Sequence, residues 1–165
     1  MSFSLLPKWI TPQLTDITPQ FLKQNGIGLL MMDFDNTIVP YTTNVANPQV
    51  DSWLRRMSSS EIQLCVVSNS KSDRVQAFCK AYGIDCIIRA RKPFTKGIRQ
   101  ALSRYQISAR QAAIVGDQIF TDTLGGNAAG VGTILVRAID NHNFWLKARH
   151  VLELPFIFAA RKRRM

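Results

Sequence analysis

Residues 27–37 read Ile-Gly-Leu-Leu-Met-Met-Asp-Phe-Asp-Asn-Thr, an apolar run that stops abruptly at two carboxylates, an amide and a hydroxyl. A strand with one wet face alternates apolar and polar side chains, so an unbroken run of this kind suits a strand buried on both faces of a parallel sheet. Four further runs have the same character, at 62–68, 86–88, 112–115 and 132–136. Between them lie segments with helix signals. Pro48 can open a helix through Met57, and Ser70 or Ser72 can cap one that runs through Tyr82 and stops at Gly83. After Pro93, Ile98, Leu102 and Tyr105 recur at helical spacing over 94–105. Strand and helix alternate throughout, which predicts an α/β fold: a doubly wound, Rossmann-like parallel sheet of about five strands.

The chain outside these runs is less regular. Thr11-Pro12 and Thr18-Pro19 each resemble a cap followed by a first-turn proline, so residues 1–26 are expected to be short helices closed by Gly26. Gly125 and Gly126 are expected at turns or helix ends, because no lysine follows them at the spacing of a phosphate-binding loop. No repeat or linker interrupts the sequence, and one domain over 1–165 is expected.

In an open α/β sheet, ligands bind beyond the carboxyl ends of the strands. The first run ends at Asp33, Asp35 and Thr37, the second at Ser68 and Asn69, and the fourth at Gly116 and Asp117 with Asp122 close behind. The third run is followed by Lys92, which Pro93 biases toward an extended conformation. Carboxylates gathered this way repel one another unless a cation lies among them, and hard oxygen donors completed by water and phosphate suit Mg²⁺. Acids, a lysine and a hydroxyl around such an ion can balance the charge of a phosphoryl group in transfer, with an Asp carboxylate as nucleophile.

This ordered set resembles the haloacid dehalogenase (HAD) superfamily of phosphatases. Its four signatures occur in order: D-x-D-x-T at Asp33, Asp35 and Thr37, the strand-end Ser68, the downstream Lys92, and the acid pair Asp117 and Asp122. The wording around Ala90-Arg91-Lys92-Pro93 and from Gly116 to Asn127 is similar to the subfamily IIIA phosphatases of the YqeG type, themselves similar to phosphatidylglycerophosphate phosphatases of organelles. The resemblance implies Asp33 as nucleophile and Asp35 as general acid and base. It implies Mg²⁺ on the carboxylates of Asp33 and Asp117 and the backbone carbonyl of Asp35. Ser68 and the amide of Asn69 would hold a phosphoryl oxygen, Lys92 would neutralise nucleophile and phosphate, Asp122 would orient Lys92 or a water, and Thr37 would tie the loop together.

Charge and spacing narrow the substrate. Residues 35–68 and 68–92 leave no room for the cap domain that many relatives insert there, so an uncovered site favours a large phosphorylated substrate or a surface that covers it. The chain carries a formal +10, and the whole excess sits in two stretches, 89–110 with seven bases and no acid, and 137–165 with seven bases and two acids. Within 141–165, Phe144, Ala148, Val151 and Leu152 share a helical face ahead of the basic end Arg161 to Arg164, a pattern suited to an anionic phospholipid surface. His142 and His150 fall outside every motif and are expected at the surface. The three cysteines have neither zinc nor disulfide spacing, no basic start leads into a secretory core, and no apolar run approaches the ~20 residues of a membrane span. A cytoplasmic phosphatase, peripheral on the membrane, is therefore expected. A capless phosphatase with another substrate is the alternative. A non-catalytic nucleic-acid binder is suggested only by the charge, and no aromatic-and-basic recognition motif supports it.

Overall fold

A computed structural model describes residues 4–140. Six strands form one wholly parallel sheet: β1 (Trp9–Ile10), β2 (Leu29–Met32), β3 (Gln63–Val67), β4 (Asp85–Ile87), β5 (Ala112–Gly116) and β6 (Gly132–Leu135). Their order is β1-β6-β5-β2-β3-β4, so the first acidic motif leaves the sheet centrally between β5 and β3. The helices are α1 (Pro19–Gln24), α2 (Pro48–Ser58), α3 (Asp73–Tyr82), α4 (Lys96–Tyr105) and α5 (Leu124–Ala129).

Alternation along the central strands sorts the core into two layers. Leu30 and Met32 of β2 join Leu64, Val66 and Val115 against Leu22, Trp53, Leu54, Val75 and Phe78, which come from α1, α2 and α3. Leu29 and Met31 face the other way, with Cys65, Val67 and Ile114 against Ile98 and Ala101 of α4. Both faces are covered, which is why the strands read as unbroken apolar runs. The helix signals act as expected: Asn47 accepts from Val50 N at 2.9 Å ahead of Pro48, Ser72 accepts from Arg74 N at 3.2 Å, and Gly83 closes α3 at φ 65°.

One expectation changes. The first 26 residues are not all helical. Thr18 caps α1 and Pro19 opens it, but Trp9 and Ile10 pair with Ile134 and Leu135 as a sixth strand at the sheet edge. Thr11 caps no helix, and its hydroxyl donates to Asp16 Oδ2 at 3.1 Å beside a single 3₁₀ turn, Leu14–Asp16. Two residues are too few for periodicity to reveal. Trp9 holds this strand by lying over Gly132, where any Cβ would collide with the indole, and by meeting Phe21 of α1 edge-on at 5.4 Å. Gly125 and Gly126 lie inside α5, where a Cβ at Gly126 would strike Thr133 and Ile114, so the missing side chain lets the helix close onto the sheet. The predicted amphipathic segment, 141–165, and both histidines lie outside the described residues.

Candidate active site

The parallel topology delivers β2, β3, β4 and β5 to one end of the sheet, and a cleft of about 130 Å³ opens there. Asp33, Asp35, Ser68, Asn69 and Lys92 line it, together with Tyr41, Ser70, Gln118 and Thr121.

Lys92 forms the floor. Its Nζ lies 2.6 Å from Asp33 Oδ1 and 2.6 Å from Asp122 Oδ1, and all three side chains are buried. Burial pushes the ammonium toward deprotonation, but the two carboxylates outweigh it and raise its proton affinity. Burial likewise pushes the Asp122 carboxyl upward, opposed by Lys92. Asp122 is further held by the Gln118 backbone N–H at 3.2 Å. The lack of a side chain at Gly116 is required, since any Cβ there would occupy the space of this carboxylate. A π-helical turn, Ile119–Thr123, bends the chain between Asp117 and α5 and returns Asp122 to the cluster.

Carboxylate oxygens of Asp33, Asp117 and Asp122 lie within 4.8 Å of one another. Three hard acidic donors beside a single lysine leave net negative charge, so the donor set fits a divalent cation. Asp35 is absent from this trio; its side chain turns to Arg74, whose Nη2 donates to Asp35 Oδ1.

Sequence reasoning missed Arg74. It resembles a surface base on α3, yet its Nη1 also donates to the Tyr41 carbonyl at 2.8 Å, and its guanidinium lies 5.1 Å from the Phe34 ring centre. One available signal is its position in the first turn of α3, where the helix dipole disfavours a cation. Burial is the largest influence on Asp35 and raises its pKa, with Arg74 opposing and Asp33 reinforcing. Two other side chains do more than expected. The Asn69 amide clamps the Lys92 backbone, donating to its carbonyl at 2.9 Å and accepting from its N–H at 2.6 Å, across the cis Lys92–Pro93 loop. Asn36, at φ 62°, closes the first acidic loop by accepting from Ile139 N at 3.0 Å and donating to Asp140 O at 2.7 Å. The Thr37 hydroxyl, expected to tie that loop, is buried with no hydrogen-bond partner among the described residues. Ser68 is buried at the cleft wall and accepts from Ser70 N at 3.0 Å.

The sequence is 35% identical over 131 residues to "Probable phosphatase YqeG" of Bacillus subtilis (strain 168), covering 79% of this chain and 76% of that one. The chain belongs to the HAD superfamily of phosphatases. A family model described as HAD-hydrolase-like matches residues 89–143, the span that carries Lys92, Asp117 and Asp122 of this HAD site. Solved HAD structures share the fold at low identity. The cobalt-bound deoxy-D-mannose-octulosonate 8-phosphate phosphatase (YrbI) of Haemophilus influenzae matches with a TM-score of 0.57 at 14% identity, over 86% of this chain and 93% of that one. A HAD subfamily III A hydrolase of Legionella pneumophila matches with a TM-score of 0.55 at 14% identity, over 78% of this chain and 73% of that one. A HAD-like, Rossmann-type sheet is thus both what the motifs predict and what the chain forms.

Proposed function

We propose that this HAD phosphatase is a Mg²⁺-dependent phosphomonoester hydrolase that removes the terminal phosphate of phosphatidylglycerophosphate at the cytoplasmic face of a membrane. The observation that carries the chemistry is Lys92 wedged between Asp33 and Asp122 at 2.6 Å from each, in a cleft at the carboxyl ends of the strands that Ser68 and Asn69 also line. An Asp33 oxygen attacks phosphorus, and the bond to the leaving alkoxide breaks as Asp35 gives that oxygen its proton. Asp35 then takes a proton from water, whose oxygen displaces Asp33 from phosphorus and releases inorganic phosphate. Lys92 balances the charge on Asp33 and on the phosphoryl oxygens, while Ser68 and the Asn69 N–H hold one of those oxygens. Asp33 and Asp117, with the Asp35 carbonyl, would hold Mg²⁺; bound there it neutralises phosphoryl charge.

The substrate reading rests on what surrounds the cleft. Between β2 and β3 the chain has only a loop and α2, and between β3 and β4 only α3, so among the described residues no inserted domain closes over the opening. A phosphate at the end of a lipid head group can enter while its chains stay outside. Phosphate release from vesicles containing phosphatidylglycerophosphate, measured against a panel of soluble phosphomonoesters with Mg²⁺, tests this. Preference for the lipid supports the reading, and equal or faster turnover of the soluble esters rejects it. Asp33→Asn should lower turnover by ~10⁴ or more while the chain still folds, as circular dichroism would check.

A further inference from the structure

Among the described residues, the large hydrophobic side chains left exposed are Tyr41 (45%), Val45 (74%), Phe94 (73%) and Ile139 (42%). All four lie in segments that leave carboxyl ends of strands: Tyr41 and Val45 after β2, Phe94 after β4 and Ile139 after β6. None lies in a segment at the opposite end of the sheet. Single exposed apolar residues are ordinary, but four that all lie at the end of the sheet where the cleft opens, with Tyr41 lining it, are not a random scatter. Two are tied directly to the site, Tyr41 through its carbonyl to Arg74 and Ile139 through its N–H to Asn36. Exposed bases share this end of the sheet: Arg89 and Arg91 after β4 and Arg137 after β6, with Lys71 after β3 and Lys96 at the start of α4. Asp73 is the exposed acid among them.

We infer that this rim is the surface by which the protein docks onto an anionic lipid bilayer, with the cleft mouth facing the head groups. The choice of occupant rests on the proposed lipid substrate and deepens it. Separated apolar side chains interleaved with bases match a layer in which anionic head groups alternate with access to acyl chains. A protein interface would instead concentrate apolar area and deplete charge at its centre. On this surface Phe94 and Val45 insert, the bases pair with lipid phosphates, and a substrate phosphate reaches Asp33 without its lipid leaving the membrane.

The test is flotation of the full chain with vesicles of phosphatidylcholine, with and without phosphatidylglycerol, for wild type and a Val45→Ser/Phe94→Ser variant. Wild type should float with the anionic vesicles, more weakly at high salt. The double variant should bind about tenfold or more weaker, with melting and p-nitrophenyl phosphate turnover unchanged. Arg89→Gln with Lys96→Gln should flatten the dependence on phosphatidylglycerol. Binding of the double variant equal to wild type overturns the inference, as does wild type that binds neither vesicle. A change from dimer to monomer in the double variant, without loss of flotation, assigns the rim to contact between copies and also overturns it. A short-chain, water-soluble phosphatidylglycerophosphate separates the two readings. If it is hydrolysed while the double variant still floats, docking falls and the substrate stands; if it is not hydrolysed while flotation is lost, the substrate falls and docking stands.

Discussion

Two cations meet the first acidic motif, and they do so differently. Lys92 lies at the floor of the cleft, buried between Asp33 and Asp122, on a loop clamped by the Asn69 side chain. Arg74 lies at the mouth, half-buried on the first turn of α3, and bridges Asp35 to the Tyr41 carbonyl. On the proposed mechanism floor and mouth divide the work: one would hold charge in place where the phosphoryl group binds, the other would hold the proton-transferring carboxyl where substrate enters. A buried ion pair is costly to break from one side, because the partner is left desolvated and uncompensated, whereas a pair near water can reorganise. The contrast predicts effects of very different size.

The largest falls on the floor. Lys92→Met should reduce kcat/KM by roughly 10³ and destabilise the fold by about 3 kcal/mol, since Asp33 and Asp122 would then face each other without a cation. Thermal melting checks the second part. Added Mg²⁺ should restore much of the lost stability in this variant and less in wild type, because the acidic trio gains the most from a cation when its lysine is missing.

A smaller effect belongs to the mouth. Arg74→Gln should lower kcat roughly tenfold with little change in melting. It should also move the pH profile. Burial raises Asp35 and Arg74 opposes that rise, so removing the guanidinium raises the carboxyl further. The first step of the proposed mechanism needs Asp35 protonated, so activity should fall as pH rises through its pKa, and that alkaline limb should shift to higher pH in the variant. A limb that stays in place, or moves down, would break the distinction between mouth and floor.

The same division explains what could be read in advance. The floor was legible because its parts are local events at strand ends: an apolar run followed by Asp33, another by Ser68, another by Asp117. The core strands were legible because burial on both faces leaves continuous apolar runs, and only their ends moved by a residue or two. The mouth was not, because Arg74 joins Asp35 across 39 positions of chain, through a helix turn that carries no motif. Trp9 and Ile10 escaped for a related reason, since a two-residue strand exists only through its pairing with β6, over a hundred residues away. The Asn69 clamp also depends on a partner loop, and a strand-end residue announces its backbone position more readily than its side-chain bonds. The glycines of α5 stand at a helix end, as expected, but only the nearness of Thr133 and Ile114 shows that they also mark close packing.

Thr37 tests the comparison at its smallest scale. It lies between floor and mouth, in the loop that the family motif expects it to tie together, yet its buried hydroxyl has no partner among the described residues. The loop is instead held by backbone and amide bonds: Ile38 N to Phe34 O at 3.0 Å, Asn36 N to Val39 O at 2.7 Å, and the two Asn36 links to residues 139 and 140. An unpartnered buried hydroxyl costs desolvation, and replacing it with a methyl of the same shape removes that cost. Thr37→Val should therefore change stability by less than about 1 kcal/mol, in the stabilising direction, with the melting temperature equal to or above wild type. Asn36→Ala should destabilise more, because it frees the Asp140 carbonyl and replaces an amide suited to φ 62° with a residue that is not. If Thr37→Val instead proves the more damaging of the two, the hydroxyl has a bond that forms only with substrate or metal in place. The loop would then belong to the floor and not to the hinge between floor and mouth.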